Sequence, residues 1–264
     1  MAKKVYIGVG HGGYDPGAVA FGRYEKDLAL DIAKACRDEL VRHGVTVKIS
    51  RETDATVDLA DRIKECNAFA PDAAVDIHLN AGGGDGAEVF HSKADSKDDA
   101  LAQNILNEIV AIGQNSRGLK TKLASNGTDY FGFIRQIKCI SALVECAFMD
   151  NATDVQIVDT LEERKKMGIA IAKGILKTLG IAYKAATTNA VIYRVQVGAF
   201  KNKSNADAYA KKADNAGFKG AFVTQGSNGL YKVQVGAFSN KANAEAYADK
   251  AEKAGFKGAF IVEK

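Results

Sequence analysis

The sequence predicts an α/β protein with a mostly parallel sheet flanked by helices on both faces. A small α+β domain of βαββαβ (ferredoxin-like) topology follows it. Two observations carry this reading. Up to about Leu179, short apolar runs alternate with amphipathic helical stretches, the pattern of a sheet covered on both sides. Beyond that point the chain repeats itself: Tyr193-Arg194-Val195-Gln196-Val197-Gly198-Ala199-Phe200 returns 38 residues later, from Tyr231 to Phe238. Composition agrees, with 47% hydrophobic and 26% charged residues excluding a disordered chain. No apolar run is long enough to span a bilayer.

The elements follow in order. Val5 to Val9 is a buried-type strand that ends in Gly10-His11-Gly12-Gly13-Tyr14-Asp15-Pro16-Gly17. Glu25 opens a helix whose apolar residues Leu28, Ile32, Cys36 and Leu40 recur at every fourth position. His43-Gly44 closes it with helix-ending chemistry, which makes His43 a helix-end cation and not a ligand. Val45 to Ile49 is a strand, Leu59 to Lys64 begins a second helix, and a further strand from Ala73 ends at His78. A glycine-rich turn, Gly82 to Gly86, leads to the strand Ala87 to Phe90, after which His91 is the one rival ligand. Leu101 to Ile112 reads as helical, Tyr130 to Ile134 and Ala142 to Phe148 as extended, and Leu161 to Leu179 as a long helix.

Four polar residues interrupt this pattern at informative places. His11, His78 and Glu145 stand at the ends of predicted strands, where open α/β sheets place their ligands, and Glu25 stands at a helix start. Singly, each has a bland reading. A histidine after a strand is usually a satisfied polar residue, and Glu25 suits the first turn of a helix. Glu145, inside Ala142-Leu143-Val144-Glu145-Cys146-Ala147-Phe148, is harder to dismiss because burying it unpartnered is costly. Jointly, two imidazoles and a carboxylate are a catalytic zinc set with the fourth position left to water. A further glutamate beside that water is the general base. The four cysteines show no CxxC spacing and read as reduced core thiols. Cys146, next to Glu145 on a strand, points to the opposite face and is not a nucleophile.

These motifs occur in one family's order: Gly10-His11-Gly12-Gly13 with Asp15-Pro16-Gly17-Ala18, Glu25-Lys26, Ser50-Arg51-Glu52-Thr53-Asp54, Asp61-Arg62, Ile77-His78-Leu79-Asn80-Ala81 and Leu143-Val144-Glu145-Cys146-Ala147-Phe148. From about Lys3 to Leu179 the chain resembles the zinc-dependent N-acetylmuramoyl-L-alanine amidases of the type-3 family. The resemblance implies one Zn²⁺ held by His11, Glu25 and His78, with Glu145 catalytic and Asn80 contacting substrate. It implies a peptidoglycan hydrolase, an autolysin or endolysin that cleaves the amide between N-acetylmuramic acid and L-alanine. Two departures are visible: Asp76 stands where Ser is usual, and Cys146-Ala147 where Cys-Gly or Asn-Gly is common. The alternatives are a zinc hydrolase of another cell-wall amide and a catalytically inactive wall-binding protein.

The expected organisation is a catalytic domain over 1–183, a small, polar linker over 184–191 and a second domain over 192–264. Two βαβ units are too few for a solenoid and instead make one βαββαβ domain. It resembles a SPOR domain, a family that binds glycan strands of peptidoglycan stripped of their stem peptides. Strand alternation turns Val195 and Val197 towards the helices, so Gln196, Phe200, Gln234 and Phe238 are expected on the open face as glycan contacts. From Ala185 onward there are 12 Lys+Arg against 6 Asp+Glu, a basic balance suited to anionic wall polymers. RNA-binding domains share this topology. Here, though, Lys219-Gly220-Ala221-Phe222 is only a fragment of their motif, so no nucleic-acid partner is expected. Met1-Ala2-Lys3-Lys4 runs straight into the first strand. The expectation is therefore cytoplasmic synthesis without a signal peptide, with the wall reached on lysis or through a holin, as for the sporulation amidases and phage endolysins it resembles.

Overall fold

The computed structural model describes residues 2–94, 97–185, 192–226, 228–238 and 241–263. Most of the expected linker, 186–191, lies outside the described residues. The chain divides into two compact units, Met1–Lys184 and Ala185–Lys264.

The first unit runs β1 (Lys4–Val9), β2 (Val19–Ala20), β3 (Arg23–Tyr24), α1 (Glu25–Arg42), β4 (Thr46–Ile49), α2 (Leu59–Phe69), β5 (Ala73–Asn80) and β6 (Ala87–Phe90). It continues with α3 (Lys97–Ala111), β7 (Ser116–Lys120), α4 (Gly132–Gln136), β8 (Ile140–Phe148) and α5 (Leu161–Thr178). Six strands form one sheet in the order β4-β1-β5-β8-β6-β7. β1 pairs in parallel with β4 and β5, and β5 with β8, whereas β6 runs antiparallel to β8. The reversal has a simple cause: the turn between β5 and β6 holds no crossover helix to carry the chain back.

Strand parity separates the two faces. Val5, Ile7, Val9, Val75, Ile77, Leu79, Val144 and Cys146 join the large core that α1, α3 and α5 cover. Tyr6 and Ala74 point the other way, against Cys66 of α2 and Phe133 of α4. By alternation, Asp76, His78 and Asn80 follow Ala74 on this second face, and Glu145 lies on it too. Tyr130 to Ile134 is not extended as expected; Gly132–Gln136 is helical, with Phe133 and Ile134 buried. A short apolar run has the same pattern in a strand and in a helix turn.

The second unit comprises β9 (Tyr193–Phe200), α6 (Lys203–Asn215), β10 (Phe222–Gln225), β11 (Tyr231–Phe238), α7 (Lys241–Lys253) and β12 (Phe260–Glu263). Its sheet order is β10-β11-β9-β12, with antiparallel pairing throughout. Val195, Val197, Val233 and Val235 pack on alanine stripes of α6 and α7, and the loop residues Phe218 and Phe256 fill the centre.

Phe200 and Phe238 overturn an expectation here. Each packs on the helix side, with ring centroids 5.1 Å from Tyr209 and Tyr247 respectively. The β9–β11 register shifts between Val233 and Gln234 and again between Gln234 and Ala237, beside Gly236 at φ 97°. An extra residue in a strand reverses the facing of everything beyond it. Gln196 and Gln234 precede the reversal and keep the face opposite the helices.

α5 begins with a capping box, Thr160 and Glu163 each bonding the other's backbone N–H. It then approaches its neighbours through glycines. A Cβ at Gly168 falls 2.4 Å from the Ile32 carbonyl oxygen of α1, and one at Gly174 falls 2.5 Å from Ile105 Cα of α3. Gly168→Ala is therefore expected to destabilise by about 1–3 kcal/mol through overpacking. Set against the roughly 1 kcal/mol gained in helix propensity, the net loss is up to about 2 kcal/mol. A denaturant midpoint equal to or above that of the parent protein contradicts the close α1–α5 contact.

Candidate metal centre and active site

His11 follows β1 in a tight loop, held by reciprocal backbone bonds between Gly12 and Asp15 of 2.9 and 3.2 Å. Its own backbone is left-handed, with φ 56°, a conformation that costs a non-glycine residue roughly 1–2 kcal/mol. Such strain persists where surrounding structure imposes it, often at functional sites. The ring is anchored from behind, with Nδ1 2.7 Å from Asp15 Oδ2, and Nε2 lies 3.2 Å from Glu25 Oε2. Gly17, at φ 65°, leaves room for the meeting: a Cβ there falls 2.6 Å from both Glu25 Oε2 and the His11 ring.

Glu25 is the first residue of α1 and is almost wholly buried. Its carboxylate accepts N–H bonds from Ala18 (2.9 Å) and Leu79 (3.0 Å), which lock it over the end of the sheet. His78 in β5 turns Nδ1 towards Glu25 Oε1 at 3.0 Å and Nε2 towards Asp76 Oδ2 at 3.4 Å. The ligand atoms offered by His11, Glu25 and His78 lie within 4.8 Å of one another. Each imidazole thus has one nitrogen held by a carboxylate and the other converging on Glu25, the arrangement typical of metal-binding histidines.

Glu145 lies beside His78 in the parallel register of β5 and β8. Its Oε2 is buried without a hydrogen-bond partner. Burial pushes this carboxyl up to about 7; His78 opposes the shift, while Glu25, Glu88 and Asp76 add to it. On the other flank, Glu88 of β6 pairs in register with Glu145 and accepts from Arg117 Nε at 3.0 Å and Asn80 Nδ2 at 3.2 Å. Asn80 is thereby placed at the edge of the site, two residues beyond His78.

The carboxylates of the site are balanced unequally. Asp76 is paired with Arg62 at 2.9 Å and Glu88 with Arg117 at 3.0 Å. Among the described residues, Glu25 and Glu145 form no ion pair with any Lys or Arg. Two buried carboxylates without a permanent cation are strongly unfavourable. The nitrogen–nitrogen–oxygen donor set of His11, Glu25 and His78 fits a divalent cation such as zinc.

The remaining candidates separate cleanly. His91 lies 2.8 Å from Asp99 and outside the cluster, because antiparallel β6 carries it to the far end of the sheet. His43 caps α1, with Nδ1 donating to the Glu39 carbonyl and Nε2 accepting from the Lys184 amide, both at 2.9 Å. Cys146 is buried in the large core, facing away from Glu145. Glu88 and Arg117 escaped the sequence reading, although a carboxylate inside the apolar run Ala87-Glu88-Val89-Phe90 was the same signal that marked Glu145.

On the open face of the second unit, Phe222, Gln234, Gln196 and Phe260 form one in-register row across all four strands. The two amides are buried within this row, whereas Phe260 is 51% exposed. The Arg194 guanidinium lies 5.7 Å from the Phe222 ring and donates to Gln234 Oε1 at 3.4 Å.

Comparison with known proteins gives consistent results. Residues 5–177 match the N-acetylmuramoyl-L-alanine amidase family, and residues 189–263 match the SPOR domain. The chain is 36% identical over 230 residues to N-acetylmuramoyl-L-alanine amidase CwlM of Bacillus licheniformis, covering 85% of this chain and 86% of that one. It is 35% identical over 219 residues to the sporulation-specific N-acetylmuramoyl-L-alanine amidase of Bacillus subtilis, covering 81% and 82%. The solved structure of amidase AmiC2 from Nostoc punctiforme matches with a TM-score of 0.62 at 31% identity, covering 67% of this chain and 97% of that one. With the sheet, the site and these matches in agreement, the chain belongs to the N-acetylmuramoyl-L-alanine amidase family and carries a C-terminal SPOR domain.

Proposed function

We propose that this peptidoglycan hydrolase cleaves the N-acetylmuramic acid–L-alanine amide with one Zn²⁺ held by His11, Glu25 and His78 and with Glu145 as catalytic base. The observation that carries the assignment is the buried, unpartnered Glu145 Oε2 next to His78. The family is typically zinc-dependent, and the donor set fits the ion. Zinc in such a site supplies Lewis acidity, polarising the carbonyl and lowering a water's pKa towards about 7.

Glu145 takes the proton of the water that attacks the lactyl carbonyl. As the C–N bond breaks, it passes that proton to the departing L-alanine nitrogen, leaving a free carboxylate and a free amine. A buried carboxyl with a free oxygen beside the metal-ligand residues is placed for both halves of this transfer. Asn80 presents its amide at the rim, where it orients substrate.

The second unit is the wall anchor. Its aromatic contacts are Phe222 and Phe260, which flank Gln196 and Gln234 and stack on the apolar faces of sugars in stripped glycan strands. Phe200 and Phe238 support this surface from the helix side. Anchoring raises the local concentration of enzyme at the wall without adding catalytic contacts. The biological reading is an autolysin or endolysin made in the cytoplasm and released to the wall on lysis or through a holin. The sporulation-specific amidase and the phage endolysin among the relatives support the autolysin or endolysin part of this reading.

Removing metal with a chelator is expected to abolish turnover while leaving far-UV circular dichroism intact; full activity of a metal-free preparation contradicts the zinc assignment. Glu145→Gln is expected to lose roughly 10²–10⁴-fold in turnover while retaining zinc. Near-parental turnover removes Glu145 from the mechanism, and loss of zinc makes it a ligand. Phe222→Ala with Phe260→Ala should lower sedimentation with purified walls and spare hydrolysis of soluble muramyl peptides. Phe200→Ala should instead lower the melting temperature of the second unit. Unchanged wall binding by the Phe222/Phe260 variant rules out this face as the anchor.

A further inference from the structure

We propose that Asp76 is a positioning residue of the metal centre: braced by Arg62, its carboxylate holds the His78 ring with Nδ1 turned to the ion. The inference rests on the zinc assignment above, and it concerns a position where this chain departs from the serine usual in the family.

Three observations carry it. First, Asp76 Oδ2 lies 3.4 Å from His78 Nε2, the nitrogen that faces away from Glu25. Second, Arg62 of α2 holds the same carboxylate, with one guanidinium nitrogen 2.9 and 3.2 Å from its two oxygens. That nitrogen also lies 3.4 Å from the Val9 carbonyl, at the end of β1. Third, β1 carries no side chain where this pair lies. A Cβ at Gly8 falls 2.3 Å from Asp76 Oδ1, and one at Gly10 falls 2.6 Å from the His78 ring. Arg62, Asp76 and His78 therefore form a continuous buried file from α2 to the metal-facing nitrogen.

The chemistry follows from the two ring nitrogens. A carboxylate at Nε2 favours the tautomer protonated there, which leaves the Nδ1 lone pair free for a metal. It also fixes the ring plane, so that plane need not be ordered when the ion binds. Asp15 does the same for His11 from an exposed loop, where water screens it. Asp76 is only 2% exposed, so its effect on His78 is not screened. A buried aspartate at this position without Arg62 would be an uncompensated charge. The two residues therefore act as one unit. A serine hydroxyl carries no charge and cannot replace the aspartate against Arg62.

The test measures zinc affinity and not turnover. The full chain is titrated with Zn²⁺ against a chromophoric chelator, and Co²⁺ absorption reports the ligand field. The primary variant is Arg62→Met/Asp76→Leu, which removes both charges together at similar volume and leaves no buried ion unpaired. Its metal-free melting temperature should stay near the parental value while zinc binds about 10–100-fold more weakly, the usual cost of losing such a partner. If this variant does not fold, Arg62→Gln/Asp76→Asn, which also removes both charges, carries the same measurement. Parental zinc affinity and an unchanged Co²⁺ spectrum in a folded variant overturn the inference. Failure of the parent protein itself to bind zinc overturns the metal assignment instead, so the two outcomes are distinguishable.

Discussion

Four carboxylates, those of Glu25, Asp76, Glu88 and Glu145, are gathered at one end of the six-stranded sheet, and their charge has to be balanced there. Arg62 and Arg117 balance two of them. Glu25 is held by two backbone N–H groups and two imidazoles, and Glu145 keeps one oxygen buried and unbonded. Burying such groups in an apolar fold costs several kcal/mol each unless charge or hydrogen bonds compensate. A divalent cation between His11, Glu25 and His78, as proposed above, would meet that need. Burial and the neighbouring carboxylates raise the proton affinity of Glu145 in the same place.

The backbone explains why these groups converge. Parallel pairing of β5 with β8 sets His78 and Glu145 side by side, and antiparallel β6 sets Glu88 on the far flank. Alternation commits the opposite residues, Ile77 and Val144, to the large core, so the chain cannot slip by one residue without exposing that core and burying the site. The α1 helix starts at Glu25, whose carboxylate bridges from the helix side to the end of the sheet. Binding site and core are thus two readings of one register.

Much of this was legible in the sequence because polar residues at strand ends stand out against apolar runs. His11, His78 and Glu145 were found that way, and Glu25 stood out as a carboxylate opening a strongly periodic helix. Glu88 gave the same signal in a shorter strand and was passed over, and Arg117 gave none, since an arginine in a polar stretch is unremarkable without its partner. Direction was harder than type: nothing in Ala87-Glu88-Val89-Phe90 says that β6 runs antiparallel. The bulges beside Gly198 and Gly236 defeated simple alternation, which held for Gln196 and failed four residues later at Phe200. The aromatic residues left on the open face, Phe222 and Phe260, come from strands whose register depends on those same bulges.

The first unit concentrates charge at one end of its sheet, and the second carries Phe222 and Phe260 at the two ends of a row whose amides, Gln196 and Gln234, are buried. The account depends on the first of these. Diffraction from crystals of the full chain, recorded on both sides of the zinc absorption edge, tests it most directly. The account predicts a single anomalous peak within bonding distance of His11 Nε2, the Glu25 carboxylate and His78 Nδ1, with Glu145 beside it. A zinc-loaded crystal with no peak there, or with its peak at His91 and Asp99, contradicts it.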